Sequence, residues 1–162
     1  MFSEFMGWLE ESLLGHLMRD TGLWTYAVVN LTHILGVSVL FGSILILDLR
    51  LLGAWRRIPL ASLSGPVVPM AASGFAVAAV TGAGLLATKA TEYVGNPFLY
   101  IKFPAIALGL LNILIIHRST AWKAHGTREL SEQERSTLAT MGGTSLLCWL
   151  TAITAGRMIA YW

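Results

Sequence analysis

His33 lies inside an uninterrupted apolar run, Asn30-Leu31-Thr32-His33-Ile34-Leu35-Gly36. An imidazole at that depth can ligate a metal, carry a proton or donate a hydrogen bond. Placing it in hydrocarbon is costly, so it marks a functional site by default. The other polar groups in apolar surroundings are Lys102, Asn112 and His117 in a third apolar run and Arg157 in a fourth. His33 with Gly36 reads as a haem ligand: a neutral imidazole supplies the axial nitrogen, and the glycine makes room for the macrocycle. Lys102 and Arg157 read as cations that neutralise the two propionates. The bland alternative is that His33 hydrogen-bonds a facing helix while Lys102 and Arg157 snorkel to the interface.

Depth separates these groups. At about 1.5 Å per residue, His33 lies about 13 Å below Trp24, Lys102 about 6 Å below Phe98, and Arg157 about 7 Å below the carboxyl end. His117 lies about 28 Å along its own span, near the other face, with Asp48, Arg50, Arg118 and His125. His33 and His117 therefore differ by about 15 Å in depth and do not hold one iron between them. His117 stays a weaker metal candidate at the other membrane face, and the second ligand beside His33 is unassigned, with Lys102, Met70 and Met158 carrying ligand-type atoms. Asp48 is expected to form a structural ion pair with Arg118, His117 or Arg50, with proton relay as the lesser reading.

The elements that position these residues are membrane spans. The chain has 162 residues, 55% hydrophobic and only 12% charged, against about 25% charged in an average soluble domain. Four runs are nearly free of charge: about 24–52, 66–88, 98–119 and 138–161. Each exceeds the roughly 20 residues that a hydrocarbon core requires. Arg56-Arg57-Ile58-Pro59 with Ser64-Gly65-Pro66, then Gly95-Asn96-Pro97, then the polar stretch Thr120 to Ser136 read as the breaks between them. The expected fold is all-α: a four-helix transmembrane bundle forming one integral membrane domain over residues 1–162. Before it, Phe2, Phe5, Met6, Leu9, Leu13 and Leu17 recur at helical spacing, predicting a short amphipathic interfacial helix over 2–17. Glu4, Glu10 and Glu11 there do not fit the basic start of a signal peptide.

Basic residues orient the spans. Arg50, Arg56 and Arg57 mark the first connection, and Arg118, Lys123, Arg128 and Arg135 the third. Positive-inside bias puts both in the cytoplasm and both termini in the periplasm of a bacterial inner membrane. The net charge of +2 argues against a nucleic-acid partner. The lone Cys148 excludes an intrachain disulfide and reads as a small buried hydrophobe. In the second span Gly74, Ala78 and Gly82 fall four apart, a stripe suited to close helix packing. The same stripe also suits room for a flat cofactor or a dimer contact.

The runs His33-Ile-Leu-Gly36, Asp48-Leu-Arg50-Leu-Leu-Gly53, Gly95-Asn-Pro-Phe-Leu-Tyr-Ile-Lys102, Leu111-Asn112 to His117-Arg118, and Gly156-Arg157-Met-Ile-Ala-Tyr161 resemble a bacterial family of four-span inner-membrane proteins of unknown function. The resemblance covers nearly the whole chain. More distantly, the layout is similar to copper-resistance-D and HemJ-type proteins, which place a histidine in an early span and a lysine then a histidine in the third. HemJ-type proteins bind haem b, so that resemblance implies haem b here. The lysine-to-histidine interval is about one turn longer than theirs, and protoporphyrinogen oxidase activity is not carried over.

The function expected is a membrane-embedded b-type haem protein in electron transfer or redox sensing. The alternatives are a non-haem transporter or binder of an anionic ligand, and an assembly subunit of a larger membrane complex. No motif names a catalytic reaction; an enzymatic role would be that of an oxidoreductase component. Expected partners are the lipid bilayer and a second copy or a larger redox complex.

Overall fold

The computed structural model describes residues 1–162. Seven helices account for most of the chain: α1 (Phe2–Glu10), α2 (Leu13–Asp20), α3 (Leu23–Leu51), α4 (Leu60–Thr88), α5 (Pro97–Arg118), α6 (Thr120–Ala124) and α7 (Glu132–Met158). Two 3-10 turns, Ala90–Tyr93 and Ile159–Tyr161, complete the regular structure, and there are no strands. The expected all-α architecture is observed. Four helices, α3, α4, α5 and the stretch Glu132–Tyr161, are long and apolar enough to cross a membrane. Helices suit that setting because every backbone N–H and C=O is satisfied inside the segment.

The boundaries differ from expectation where local chemistry outweighs apolarity. α4 begins at Leu60, so Ser64-Gly65-Pro66 does not break it, and Pro66 and Pro69 lie inside the helix. Pro104 lies inside α5 in the same way. Proline removes one N–H from the ladder, a loss that apolar spans tolerate where neighbours re-satisfy the freed carbonyl. α7 begins at Glu132, six residues before the apolar run, because Ser131 and Glu134 form a capping box. The serine side chain accepts from the Glu134 N–H, and the Glu134 side chain accepts from the Ser131 N–H, so two orphan donors are satisfied at once. The amino-terminal segment is two helices rather than one. Ser12 ends the first and caps the second, donating to Leu9 O at 2.6 Å and accepting from the Gly15 N–H.

The chain divides into two compact units. Unit one comprises residues 1–40 and 72–96; unit two comprises residues 41–71 and 97–162. α3 and α4 each contribute to both.

In unit one, α3 and α4 touch backbone to backbone. A Cβ on Gly74 would stand 2.5 Å from the Leu40 nitrogen and 2.9 Å from the Gly36 oxygen. A Cβ on Gly36 would stand 2.9 Å from the Ala78 nitrogen. The stripe of small residues is thus spent on packing within the chain, as close approach between apolar helices demands. The α1–α2 pair is fastened to the end of α4. Gly15 lies against the Ala87 carbonyl, Met18 packs on Gly84, and Arg19 donates to Thr88 O at 3.4 Å. Glu10 accepts from both the N–H and the hydroxyl of Thr91, each at 2.7 Å. Met6 is buried beneath this pair, while Phe5, Trp8, Leu13 and Leu17 face outward. That outward apolar face suits a helix lying on a membrane surface.

In unit two, Leu51, Leu60, Ile116, Trp122 and Leu138 form the hydrophobic core. α5 packs along α7: Gly109 lies against the Trp149 ring, and Asn112 Nδ2 donates to Met141 O at 2.9 Å. Asn112, singled out as a polar group in an apolar run, is thereby committed to helix pairing. Gly142 of α7 lets Leu51 and the Asp48 carbonyl approach, with a Cβ there 2.9 and 3.3 Å from them.

Candidate functional site

His33 lies on the face of α3 that meets α4. Its ring rests on Gly82, where a Cβ would come within 2.9 Å of Cε1. Any side chain at 82 would push the imidazole away, so the glycine fixes where the ring sits. Nδ1 of His33 stands 3.0 Å from Thr81 Oγ1. The Thr81 hydroxyl has one hydrogen, and it donates to Val77 O at 2.6 Å. Toward His33 it therefore acts as acceptor, so the hydrogen-bond network assigns the proton to Nδ1 and the lone pair to Nε2. This is the arrangement by which an outer partner sets the tautomer and the angle of a ligating histidine. Gly36 lies one turn along the same face, and its missing side chain admits the backbone of α4 at Ala78 and the Val77 side chain.

Lys102 and Arg157 belong to unit two, where they come to the same end of the α5–α7 pair. Lys102 is half-buried, and its Cε and Nζ lie against Gly156, 3.4 Å from where a Cβ would be. Arg157 is exposed, lies over the Tyr161 ring at 4.8 Å, and donates to the Tyr161 hydroxyl. Beside them, Phe98 and Ile101 of α5 and Leu150, Thr154 and Met158 of α7 line a shallow, mostly apolar cavity of about 300 Å³.

At the far end of unit two, His117 and His125 have local duties. His117 is exposed, hydrogen-bonds the Ile113 carbonyl through Nδ1 at 2.8 Å, and packs on the Trp122 ring, centroid to centroid at 5.0 Å. His125 packs on the same ring at 4.6 Å. Its Nδ1 bonds the Trp122 carbonyl and its Nε2 the Ser64 hydroxyl at 3.0 Å. Both His125 nitrogens are thus engaged, and the Nε2 bond ties the end of α6 to α4. His16 in α2 is exposed near Glu11 and Asp20. No three His, Cys, Asp or Glu side chains cluster anywhere in the chain.

Asp48 departs from expectation. It makes no ion pair with Arg118, His117 or Arg50. Arg50 donates to Ile58 O at 2.9 Å and to Arg56 O, closing the turn after α3. Arg118 is exposed. Asp48 is instead turned into unit two, 3% exposed, beside Ser145 of α7, itself 3% exposed. Thr81 and Ser145 escape a reading that looks for ionisable groups. Their signal is a hydroxyl in an otherwise apolar span, a weak one, since such hydroxyls commonly bond the carbonyl four residues back.

The family comparison covers almost the whole chain: the model of a family of unknown function, DUF6644, matches residues 5–162. The chain belongs to this family. No curated protein and no solved structure matches it. DUF6644 membership agrees with the resemblance to a family of unknown function and leaves the reading of the site to its geometry.

Proposed function

We propose that this DUF6644 protein is a b-type haem protein of a bacterial inner membrane, with Nε2 of His33 as an axial ligand, serving electron transfer or redox sensing. One observation carries the proposal. Nδ1 of His33 stands 3.0 Å from the Thr81 hydroxyl, which donates to the Val77 carbonyl, so the imidazole is held at a fixed angle. An imidazole nitrogen suits a haem iron. Gly82 and Gly36 contribute by setting the spacing of α3 and α4, and with it the His33–Thr81 distance. The sequence offers Lys102 and Arg157 as the cations that would neutralise the propionates. Haem would supply a one-electron couple, and His33 would hold it. Cytoplasmic connections and periplasmic termini follow from the distribution of Arg and Lys.

The test is spectroscopic. Protein purified from haem-replete cells should show a Soret band and, when reduced, the α-band of a b haem. A colourless protein whose spectrum does not change on adding hemin would refute the proposal.

A second reading, a binder or carrier of an anionic ligand, draws on Lys102 and Arg157 at the end of the α5–α7 pair that also carries an apolar cavity. Retention of a radiolabelled amphipathic anion by the colourless protein, lost in Lys102→Ala, would favour it.

A further inference from the structure

Asp48 is the one carboxylate on the apolar helices that is buried from solvent, and neither the haem proposal nor the family match gives it a role. One carboxyl oxygen, Oδ2, has no hydrogen-bond partner, and the hydroxyl beside the group is that of Ser145. No ion pair reaches it. Three polar groups of the surrounding elements are occupied elsewhere. On α3 itself, Arg50 serves the Ile58 and Arg56 carbonyls. On α5, His117 serves the Ile113 carbonyl, and Ser64 of α4 serves His125. A bare anion buried beside one hydroxyl, with no cation and an orphan oxygen, is the costliest state this site can adopt. A carboxylic acid resolves that cost, with its charge neutralised by its own proton.

The site is also close to water. Asp48 is three residues from Leu51, where α3 ends, about 5 Å along the axis. Gly142 lets α7 approach the Asp48 backbone at this level, which sets Ser145 within reach of the carboxyl. A group so placed can trade a proton with one face of the membrane without crossing it.

We propose that Asp48 and Ser145 form an exchangeable proton-binding site, in which Asp48 holds one proton at neutral pH and Ser145 orients the carboxyl. It is independent of the haem proposal, and neither measurement below reads a haem band.

Infrared difference spectroscopy of the full-length protein in liposomes, wild type minus Asp48→Asn, should show at neutral pH the C=O band of a protonated carboxyl, shifted on transfer to deuterium oxide. Carboxylate bands in its place would overturn the proposal. Dicyclohexylcarbodiimide, which adds to protonated carboxyl groups in apolar surroundings, provides a second measurement on the wild type alone. Peptide mass mapping should place the adduct on Asp48, with its yield falling several-fold as pH is raised, and Ser145→Ala should keep the labelling. Protection by sodium ions at constant pH would overturn the assignment to a proton and point to a metal cation. An adduct confined to the exposed glutamates would overturn it as well.

Discussion

The Thr81 hydroxyl stands between two partners, accepting from Nδ1 of His33 at 3.0 Å and donating to the Val77 carbonyl at 2.6 Å. Val77 and Thr81 are one helical turn apart, so α4 itself aims the hydroxyl at α3. Thr81→Val removes the hydroxyl and keeps the shape. Loss of an outer partner of a ligating histidine typically costs about 10–100-fold in metal affinity. Hemin titration of Thr81→Val should show a loss of that size with a b-type spectrum retained, whereas Thr81→Ser should bind as the wild type does. An unchanged affinity in Thr81→Val would remove Thr81 from the site.

The glycines of α3 and α4 make a steric prediction with an internal control. At Gly74 an added Cβ would meet the Leu40 nitrogen at 2.5 Å and the Gly36 oxygen at 2.9 Å, both backbone atoms that cannot swing aside. Gly74→Ala must separate α3 from α4, at the roughly 1–3 kcal/mol typical of overpacking. At Gly42 nothing lies within 4 Å of the added carbon, and alanine there should stabilise the helix by up to about 1 kcal/mol. Thermal unfolding in detergent should therefore move in opposite directions for the two variants. If Gly74→Ala melts no lower than wild type, the close α3–α4 contact is wrong.

Some of this was legible in the residues and some was not. The four spans follow from runs of apolar side chains, because in lipid only a helix satisfies its own backbone. The ends of α4 and α7 do not follow from apolarity. Ser64-Gly65-Pro66 looks like a break, yet α4 passes through it. The start of α7 was written in the Ser131–Glu134 spacing, a polar signal outside the apolar run. At the candidate site, the position of His33 in an apolar run marked it out, but its orientation depends on a threonine 48 residues away. Cations near Asp48 in sequence and depth suggest an ion pair that the fold does not form. Spacing along one helix fixes depth, but not which side chain a neighbouring helix turns toward it.

The docking of α1 should depend on pH. Hydrogen bonds from the Thr91 N–H, then from its hydroxyl, hold the Glu10 carboxyl below its ordinary value of 4.5. A group lowered by folding stabilises the folded state above its unfolded value, and that contribution is lost as pH falls through the folded one. Protection factors for amide exchange at residues 2–10, taken relative to the intrinsic rate at each pH, should thus be high at neutral pH and fall as pH drops below the ordinary carboxylate range. In Glu10→Gln the exchange should already be faster at neutral pH and should lose this acid-induced step. Equal protection in both proteins across that range would show that Glu10 does not hold α1.

The charge-balancing residues should separate from the ligand. In the haem proposal His33→Ala loses the Soret band, because the iron loses its nitrogen donor. Lys102→Ala and Arg157→Ala should keep a b-type spectrum and release haem faster, since they remove charge near the carboxylates and not coordination. His117→Ala should retain haem, because its Nδ1 serves the Ile113 carbonyl and its ring packs on Trp122. Haem lost from His117→Ala but kept by His33→Ala would move the site to the opposite membrane face.

The orientation of the spans can be read directly by labelling. Arg50, Arg56 and Arg57 surround the turn between α3 and α4, and Arg118, Lys123, Arg128 and Arg135 surround the connection into α7. Short connections rich in Arg and Lys stay on the cytoplasmic side. The native thiol is a single half-buried residue, Cys148, so a Cys148→Ala background leaves no reactive cysteine. In that background, cysteines introduced one at a time over 56–62 and 124–130 should resist an impermeant maleimide added to intact spheroplasts, then react once the membrane is opened. A cysteine at Thr91 or Trp162 should react from outside. Labelling of the 56–62 turn in intact spheroplasts would invert the topology and place the end of α3 that carries Asp48 toward the periplasm.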